Sequence, residues 1–178
     1  MDNDTIKGTE ETASIIKNIN HIKSGNSEKE KLVSVKYNKF MIIGIKDKKY
    51  ALFADEVKEI IGNTPIFYVP FTPPYISGFI NRHGEPYTVI DITVLLEREN
   101  LNSTTFLILS KEDDQLALLI SDVVEIVNLP ENELYRMTST VAEEDYFIGS
   151  INPSGKEEIF VFDLNTLIKK MEGDISAY

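Results

Sequence analysis

An internal repeat is the feature of the sequence that most limits what this chain can fold into. Two stretches carry the same residues in the same order, with an offset of 66 residues at first and of 71 further on. At the first offset the matched pairs are Ala51 and Ala117, Val57 and Val123, Glu59 and Glu125, and Ile60 and Ile126. At the second offset GFINRHG at 78–84 matches GSINPSG at 149–155. Repeated order indicates repeated structural units, so we expect two similar modules; a chance match between two strand-rich halves is the alternative.

Short apolar runs separated by charged turns form the units of this repeat. FMIIGI, KDKK and YALFA follow one another in the first half, and TFLILS, KEDDQ and LALLI in the second. Such runs and turns are typical of β-hairpins. Only DLNTLIKKM is typical of a helix, with Asp163 as its N-cap and Lys169 and Lys170 in its last turn. The sequence therefore predicts a mainly β fold with a short C-terminal helix.

The first 36 residues differ from the rest in composition. All 17 aromatic residues lie between Tyr37 and Tyr178. Residues 1–36 are mostly polar or charged apart from isoleucines, whose spacing at 15, 16, 19 and 22 fits one face of a short helix. We expect a flexible tail, with a docked helix as the alternative, because so short a helix is marginal in water. The two modules are then expected at 37–103 and 104–178.

Composition and charge exclude several classes of function. Without cysteine the chain has no disulfides and no thiolate metal site. The net charge of −11 argues against nucleic acid as a partner, because binding to phosphates needs a basic surface. No run of 18 apolar residues and no signal peptide is present, so we expect a cytoplasmic protein without direct membrane insertion. The phosphate-binding patterns GxGxxG and GxxxxGK followed by Ser or Thr are absent, and no cofactor is predicted.

Most of the negative charge lies in the second half. Residues 37–103 carry 8 acidic and 7 basic side chains, whereas residues 104–178 carry 15 and 5. Solvated loops such as KEDDQ and AEEDY are the simpler explanation, and EDD at 112–114 is predicted to be a hairpin turn because it lacks the spacing of a calcium loop. The alternative is an acidic patch that attracts a basic partner.

The segment GFINRHGEPYTVID at 78–91 holds one of the two histidines. His83 could act as a general base, with Asp91 or Glu85 as the carboxylate that orients it. The other histidine, His21, lies in the expected tail, and the chain has no GxSxG nucleophile motif. We therefore favour His83 as a polar turn residue or as a contact on a binding face.

Two aspartates and one proline-rich segment have simple structural interpretations. Asp91 and Asp163 each follow an apolar strand, so both are predicted to cap the turn or helix that comes next. YVPFTPPYISG at 68–78 combines prolines with aromatic residues, which is typical of a rigid extended connection. This connection either seals the core or shapes an apolar groove in which a partner binds.

Three stretches together resemble the CheW-like chemotaxis coupling proteins: DEVKEI at 55–60, VPFTPPYISGFINRHG at 69–84 and VIDI at 89–92. That family has V-x-E-I, then P-x-x-P-x-x-I-x-G-x-x-N-x-R-G, then an apolar strand that ends in Asp-Leu. The matching positions are Val57, Glu59, Ile60, Pro70, Pro73, Ile76, Gly78, Asn81, Gly84 and Asp91. The resemblance covers about residues 37–172, and the combination of spacings makes it specific.

The resemblance implies two SH3-like five-stranded β-barrel subdomains with an apolar groove between them. It also implies a non-catalytic adaptor that binds the regulatory domain of a chemotaxis histidine kinase and the cytoplasmic tip of a chemoreceptor. A CheW-like scaffold of a non-chemotactic kinase pathway is the alternative adaptor. The positions carried over as partner-binding are Val57, Glu59, Ile60, Gly78, Asn81, Arg82, His83 and Gly84. The positions interpreted as structural are Pro70, Pro73, Asp91 and Asp163.

The chain departs from the family pattern at the arginine before the second glycine. His83 occupies that position, and Arg82 lies one residue earlier. Arginine is a permanently charged, forked donor that a mostly neutral histidine does not replace. Either Arg82 makes the contact instead, or this chain binds a divergent partner.

Overall fold

The described part of this computed structural model consists of residues 35–110, 115–137 and 146–177, with side chains as far as 175. Nearly all of the expected tail and the EDD turn at 112–114 lie outside the described residues. The strands are β1 Tyr37–Ile45, β2 Lys48–Phe53, β3 Val57–Gly62, β4 Ile76–Arg82, β5 Glu85–Ile90, β6 Thr105–Leu109, β7 Leu116–Ile120, β8 Asp122–Pro130, β9 Tyr135–Arg136, β10 Phe147–Ile151 and β11 Ile159–Phe162. The helices are α1 Ile92–Glu97 and α2 Leu164–Ala177, and Ala54–Glu56 and Glu131–Glu133 form short 3-10 turns.

The first hairpin shows why these apolar runs form strands. Successive side chains of a strand point to opposite faces. In β1 both faces are buried, because Phe40 and Ile42 join one apolar cluster while Met41 and Ile43 join another. The turn between β1 and β2 is shorter than KDKK, and its Lys46 adopts φ 55° in the left-handed region.

The eleven described strands form two sheets whose strand orders are related by the internal repeat. Sheet A has the order β8-β1-β2-β11-β10-β9, and sheet B has the order β3-β6-β7-β5-β4. In the repeat, β3, β6, β7, β5 and β4 correspond to β8, β1, β2, β11 and β10. With these counterparts, the strand order of sheet B is the order of sheet A without β9. Both sheets contain the matching parallel pair, with Ala51 beside Val161 in sheet A and Ala117 beside Val89 in sheet B. The topology therefore confirms the repeat and the mainly β fold.

Each sheet takes strands from both halves of the chain. β1 and β2 of the first half lie in sheet A with β8 to β11, whereas β6 and β7 of the second half lie in sheet B with β3 to β5. The N-terminal hairpin of each repeat therefore pairs with strands of the other repeat. The division into 37–103 and 104–178 stays a prediction for the two repeats, and the two sheets do not follow it.

The apolar core has three parts. One cluster contains side chains of both sheets and both helices, among them Ile43, Leu107, Phe162 and Leu167. A second cluster lies on the other face of sheet A and a third on the other face of sheet B. Because burial of apolar surface is the main stabilising contribution, the shared first cluster holds the two sheets together.

Helix α2 is longer than predicted. It extends to Ala177, so Lys169 and Lys170 lie in its middle and the prediction that they form the last turn is wrong. Glycine is permissive in backbone conformation but does not by itself end a helix, and the helix continues through Gly173. The Tyr75 hydroxyl donates a hydrogen bond of 3.0 Å to Asp174 in this extension. Among the described residues, no helix is long and apolar enough to span a membrane.

Candidate partner-binding site

The first matched stretch, V-x-E-I, lies on β3, which is a terminal strand of sheet B. Val57 and Glu59 are half-buried, and Ile60 is 45% exposed. A β-bulge between Val57 and Glu59 leaves Lys58 unpaired in the ladder. The Lys58 Nζ donates to the Tyr87 hydroxyl at 3.2 Å and lies 5.8 Å from the centre of the Tyr87 ring. The strand therefore presents one apolar and two charged side chains at the edge of the sheet.

Glu59 and Arg82 form a two-pronged ion pair. The Arg82 Nε donates to Glu59 Oε2 at 3.1 Å, and its Nη2 donates to Oε1. β3 and β4 are the two terminal strands of sheet B, so the ion pair joins the opposite edges of this sheet. The hydrogen bond from Arg82 lowers the pKa of Glu59, and the same hydrogen bond raises the pKa of Arg82. Sequence reasoning identified both residues but not their pairing, because β3 and β4 come together only in the folded chain.

The turn between β4 and β5 is fixed by its backbone. His83 and Gly84 both have positive φ, 55° and 89°, as a two-residue hairpin turn requires. The Asn81 Oδ1 accepts a hydrogen bond of 3.1 Å from the Gly84 backbone N–H. Asn81, His83 and Gly84 are all exposed. His83 thus lies at the tip of the hairpin beside the ion pair, and its Nδ1 and Nε2 atoms make no hydrogen bond within the described residues.

Gly78 shapes the surface from beneath. It is buried at φ 134°, and a Cβ at this position would overlap the backbone carbonyl of Phe67. The close approach allows Phe67 and Phe79 to exchange backbone hydrogen bonds of 2.7 and 2.9 Å. Gly149, its counterpart in the repeat, is just as close to the carbonyl of Tyr135. Both glycines therefore let a neighbouring segment lie against the sheet.

The segment that lies against Gly78, residues 66–73, is largely exposed and apolar. Phe71 is 94% exposed, and the other large apolar side chains exposed in this segment are Ile66, Phe67 and Tyr68. Beside them is a cleft of about 420 Å³ between this segment, β4, β5 and the end of α2. The lining residues are Val69, Phe71, Thr72, Pro73, Ile76, Gly78, Phe79, Pro86, Thr88 and Ile175. Pro73 is buried and Pro70 is exposed, so the segment both contacts the core and shapes a groove.

The carboxylates considered as partners of His83 have other roles. Asp91 is only 2% exposed, and it accepts hydrogen bonds from the backbone N–H groups of Thr93 at 3.0 Å and Leu101 at 2.7 Å. It is the N-cap of α1. His83 precedes β5 and Asp91 follows it, so the two residues are separated by the length of the strand, about 20 Å. The Glu85 carboxylate accepts a hydrogen bond of 3.4 Å from the Tyr87 hydroxyl.

In the second repeat, Asp163 accepts hydrogen bonds from the Thr166 backbone N–H at 3.1 Å and from the Thr166 hydroxyl at 2.9 Å.

Comparison with known proteins gives one consistent result. The chemotaxis protein CheW of Helicobacter pylori is 25% identical over 134 residues, which cover 72% of this chain and 79% of that protein. A probable chemotaxis protein CheW of Rhizobium etli is also 25% identical, over 73% of this chain and 86% of its own length. The scaffolding protein TtCheW of Thermoanaerobacter tengcongensis has a similar fold, with a TM-score of 0.64 at 20% identity over 72% of this chain and 90% of that one.

The family model for the CheW-like domain matches residues 39–172. This range contains all described strands except the first two residues of β1, and it extends into α2. The matched region contains the V-x-E-I strand, the glycine beneath the apolar segment and the capping aspartate described above. This chain therefore belongs to the CheW-like domain family.

Proposed function

We propose that this chain is a non-catalytic adaptor that couples chemoreceptors to a chemotaxis histidine kinase in a bacterial signalling array. Its partners are the regulatory domain of the kinase and the cytoplasmic tip of the receptor. It works in the cytoplasm and is held at membrane receptor arrays through these partners. The observation that carries the proposal is the family match, since it covers the strand and turn that form the candidate site.

The surface formed by β3 and the β4–β5 turn is suited to binding another protein. Ile60 offers exposed apolar area, and the guanidinium of Arg82 keeps donors that its two bonds to Glu59 do not use. The charges of Glu59 and Arg82 compensate each other, so we expect this face to bind mainly through apolar contact and directed hydrogen bonds. The rigid hairpin turn presents Asn81 and His83 beside it, at little cost in conformational entropy.

Arg82 is the residue that we infer to replace the arginine of the family pattern. It pairs with Glu59 of the V-x-E-I stretch, whereas His83 lies at the tip of the turn. A one-residue displacement in sequence is compatible with an unchanged contact, because the long arginine side chain reaches across to the other edge strand. This favours a partner of the usual family chemistry over a divergent one.

Two alternative functions differ from this one in partner or in chemistry. A CheW-like scaffold of a non-chemotactic kinase pathway would use the same surface and would differ only in its partner. A small enzyme with His83 as general base has less support, because Asp91 already accepts two backbone hydrogen bonds at a helix N-terminus.

Substitution at the tip of the hairpin tests the proposal. We expect Arg82→Ala to weaken binding of the receptor tip or the kinase regulatory domain by at least about fivefold, with a smaller effect of His83→Ala. Arg136→Ala removes an exposed arginine elsewhere and is the matched control. Calorimetric titration of each purified partner into each variant provides the measurement. Unchanged affinity for both partners in both hairpin variants would exclude this turn as the docking surface.

A further inference from the structure

The internal repeat supplies a second V-x-E-I strand, β8, which can be compared with β3 position by position. Each is a terminal strand, β3 in sheet B and β8 in sheet A. Each has a β-bulge at the same place, with Lys58 as the extra residue in β3 and Val124 as the extra residue in β8. The two edges therefore share the position of the bulge, and their side chains can be compared at matching positions.

The two edges differ in how their glutamates are compensated. Glu59 of β3 pairs with Arg82, and Lys58 lies next to it in the chain. The position that matches Arg82 in the second repeat is Pro153, which carries no charge. Within the described residues Glu125 of β8 has no ion-pair partner.

Within the described residues, the basic side chains near β8 do not neutralise it. Lys49 interacts with Glu125, but its Nζ makes an ion pair of 2.6 Å with Glu157. On the neighbouring strand, Lys39 lies beside Asn128, three positions away from Glu125. β8 itself, Asp122–Pro130, contains the acidic residues Asp122 and Glu125 and no basic residue. The β8 edge therefore carries a net negative charge, in contrast to the paired charges on β3.

Within the described part of the chain, the β8 edge is also apolar and open. Val124 is 43% exposed and Ile126 is 49% exposed. β1 pairs with one side of β8, and no strand of the described residues pairs with its other side. An open edge strand with exposed β-branched residues is a common site for association with another chain.

We propose that the β8 edge, formed by Asp122, Val124, Glu125 and Ile126, is a second docking surface for a partner segment that combines apolar side chains with lysine or arginine. Apolar contact with Val124 and Ile126 supplies affinity, and the uncompensated carboxylates attract and select a basic segment. A second copy of this chain is a poor occupant, since two β8 edges would bring like charges together. The inference extends the adaptor function proposed above by giving the chain a surface whose chemistry differs from that of β3.

Two synthetic peptides test this proposal without any native partner. The peptides share one apolar face and carry either lysine or glutamate at their polar positions. Fluorescence anisotropy of each labelled peptide is measured with the full chain, and amide chemical shifts locate the binding site. We expect the lysine peptide to bind at least about tenfold more tightly at low salt, with perturbed shifts at β8. The difference should shrink as salt increases, because salt screens the exposed charges.

Three variants separate local chemistry from net charge. Glu125→Lys and Ile126→Ser should each weaken binding of the lysine peptide by about threefold or more. Asp55→Lys changes the net charge as much as Glu125→Lys but lies on a different connection, and it should leave most of the affinity intact. Circular dichroism checks that each variant is folded. Equal affinity for the two peptides, equal losses in both lysine variants, or shift changes away from β8 would overturn the proposal. None of these outcomes depends on whether the chain couples a receptor to a kinase.

Discussion

The pair of Glu59 and Arg82 joins two side chains that lie 23 positions apart in the chain. Its two hydrogen bonds orient the guanidinium on an edge strand, which a single-point lysine contact would not do. Both side chains are about one-third exposed, so solvent screens the pair and its main effect is on geometry rather than on stability. At the scale of single residues, the candidate site is therefore a surface of fixed shape with nearly balanced charge.

The lowered pKa of Glu59 leads to a dependence of stability on pH. A carboxyl group whose pKa is lowered in the folded state stabilises the fold above its unfolded pKa, here 4.5, and this contribution is lost as pH falls through the folded value. We therefore expect Glu59→Gln to lower the urea midpoint slightly near neutral pH. The difference from the unsubstituted chain should disappear as pH falls from about 5 to about 3. Urea titrations over that range check this, and a constant difference would show that Glu59 does not titrate in its ion pair.

At the scale of elements, two aspartates hold the junctions between strand and helix in different ways. Asp163 caps α2 from a partly exposed position. Asp91 is buried, and it connects α1 to the chain before β6 through the backbone N–H of Leu101. Asp91 therefore fixes a connection between strands of sheet B as well as the start of a helix.

Removal of the two caps should have unequal effects. We expect Asp91→Ala to reduce the free energy of unfolding by about 2–3 kcal/mol, because it leaves the buried N–H of Thr93 and the partly buried N–H of Leu101 without an acceptor. Asp163→Ala should cost about 1 kcal/mol, the usual value for loss of an N-cap. Urea unfolding followed by fluorescence of the tyrosines gives both values. Equal losses would mean that the bond to Leu101 adds nothing to capping.

Much of the element structure could be predicted from local sequence. The apolar runs with charged turns define hairpins, and the two aspartates mark the starts of the helices, because these signals act over a few residues. The exposure of Phe71 and Tyr68 could not be predicted, since aromatic residues next to prolines occur both in cores and on surfaces. The length of α2 could not be predicted either, since Gly173 lies inside the helix and the contact between Tyr75 and Asp174 spans 99 positions in the chain.

At the scale of the whole molecule, the exchange of hairpins makes the two repeats depend on each other. β1 and β2 need strands of the second half to complete sheet A, and β3 to β5 need β6 and β7 to complete sheet B. The repeat is visible in the sequence, but no local pattern predicts that β2 pairs with β11 rather than with β5. Such long-range pairing is decided by packing of the whole core.

The exchange predicts that the halves do not fold alone. Fragments 37–103 and 104–178 should each lack dispersed amide chemical shifts, because each would expose one face of an unfinished sheet. Mixing the two fragments should restore dispersion, since all strand partners are then present. A cooperative unfolding transition in either isolated fragment would contradict the dependence of one repeat on the other.

Formation of a ternary complex is the most direct test of the adaptor function. The full chain is mixed with a chemoreceptor cytoplasmic tip and the regulatory domain of the chemotaxis histidine kinase, and the mass of the product is determined by light scattering after size-exclusion chromatography. We expect one species that contains all three proteins, and no complex of receptor tip and kinase domain when this chain is omitted. Failure to bind either partner, or displacement of one partner by the other, would contradict it.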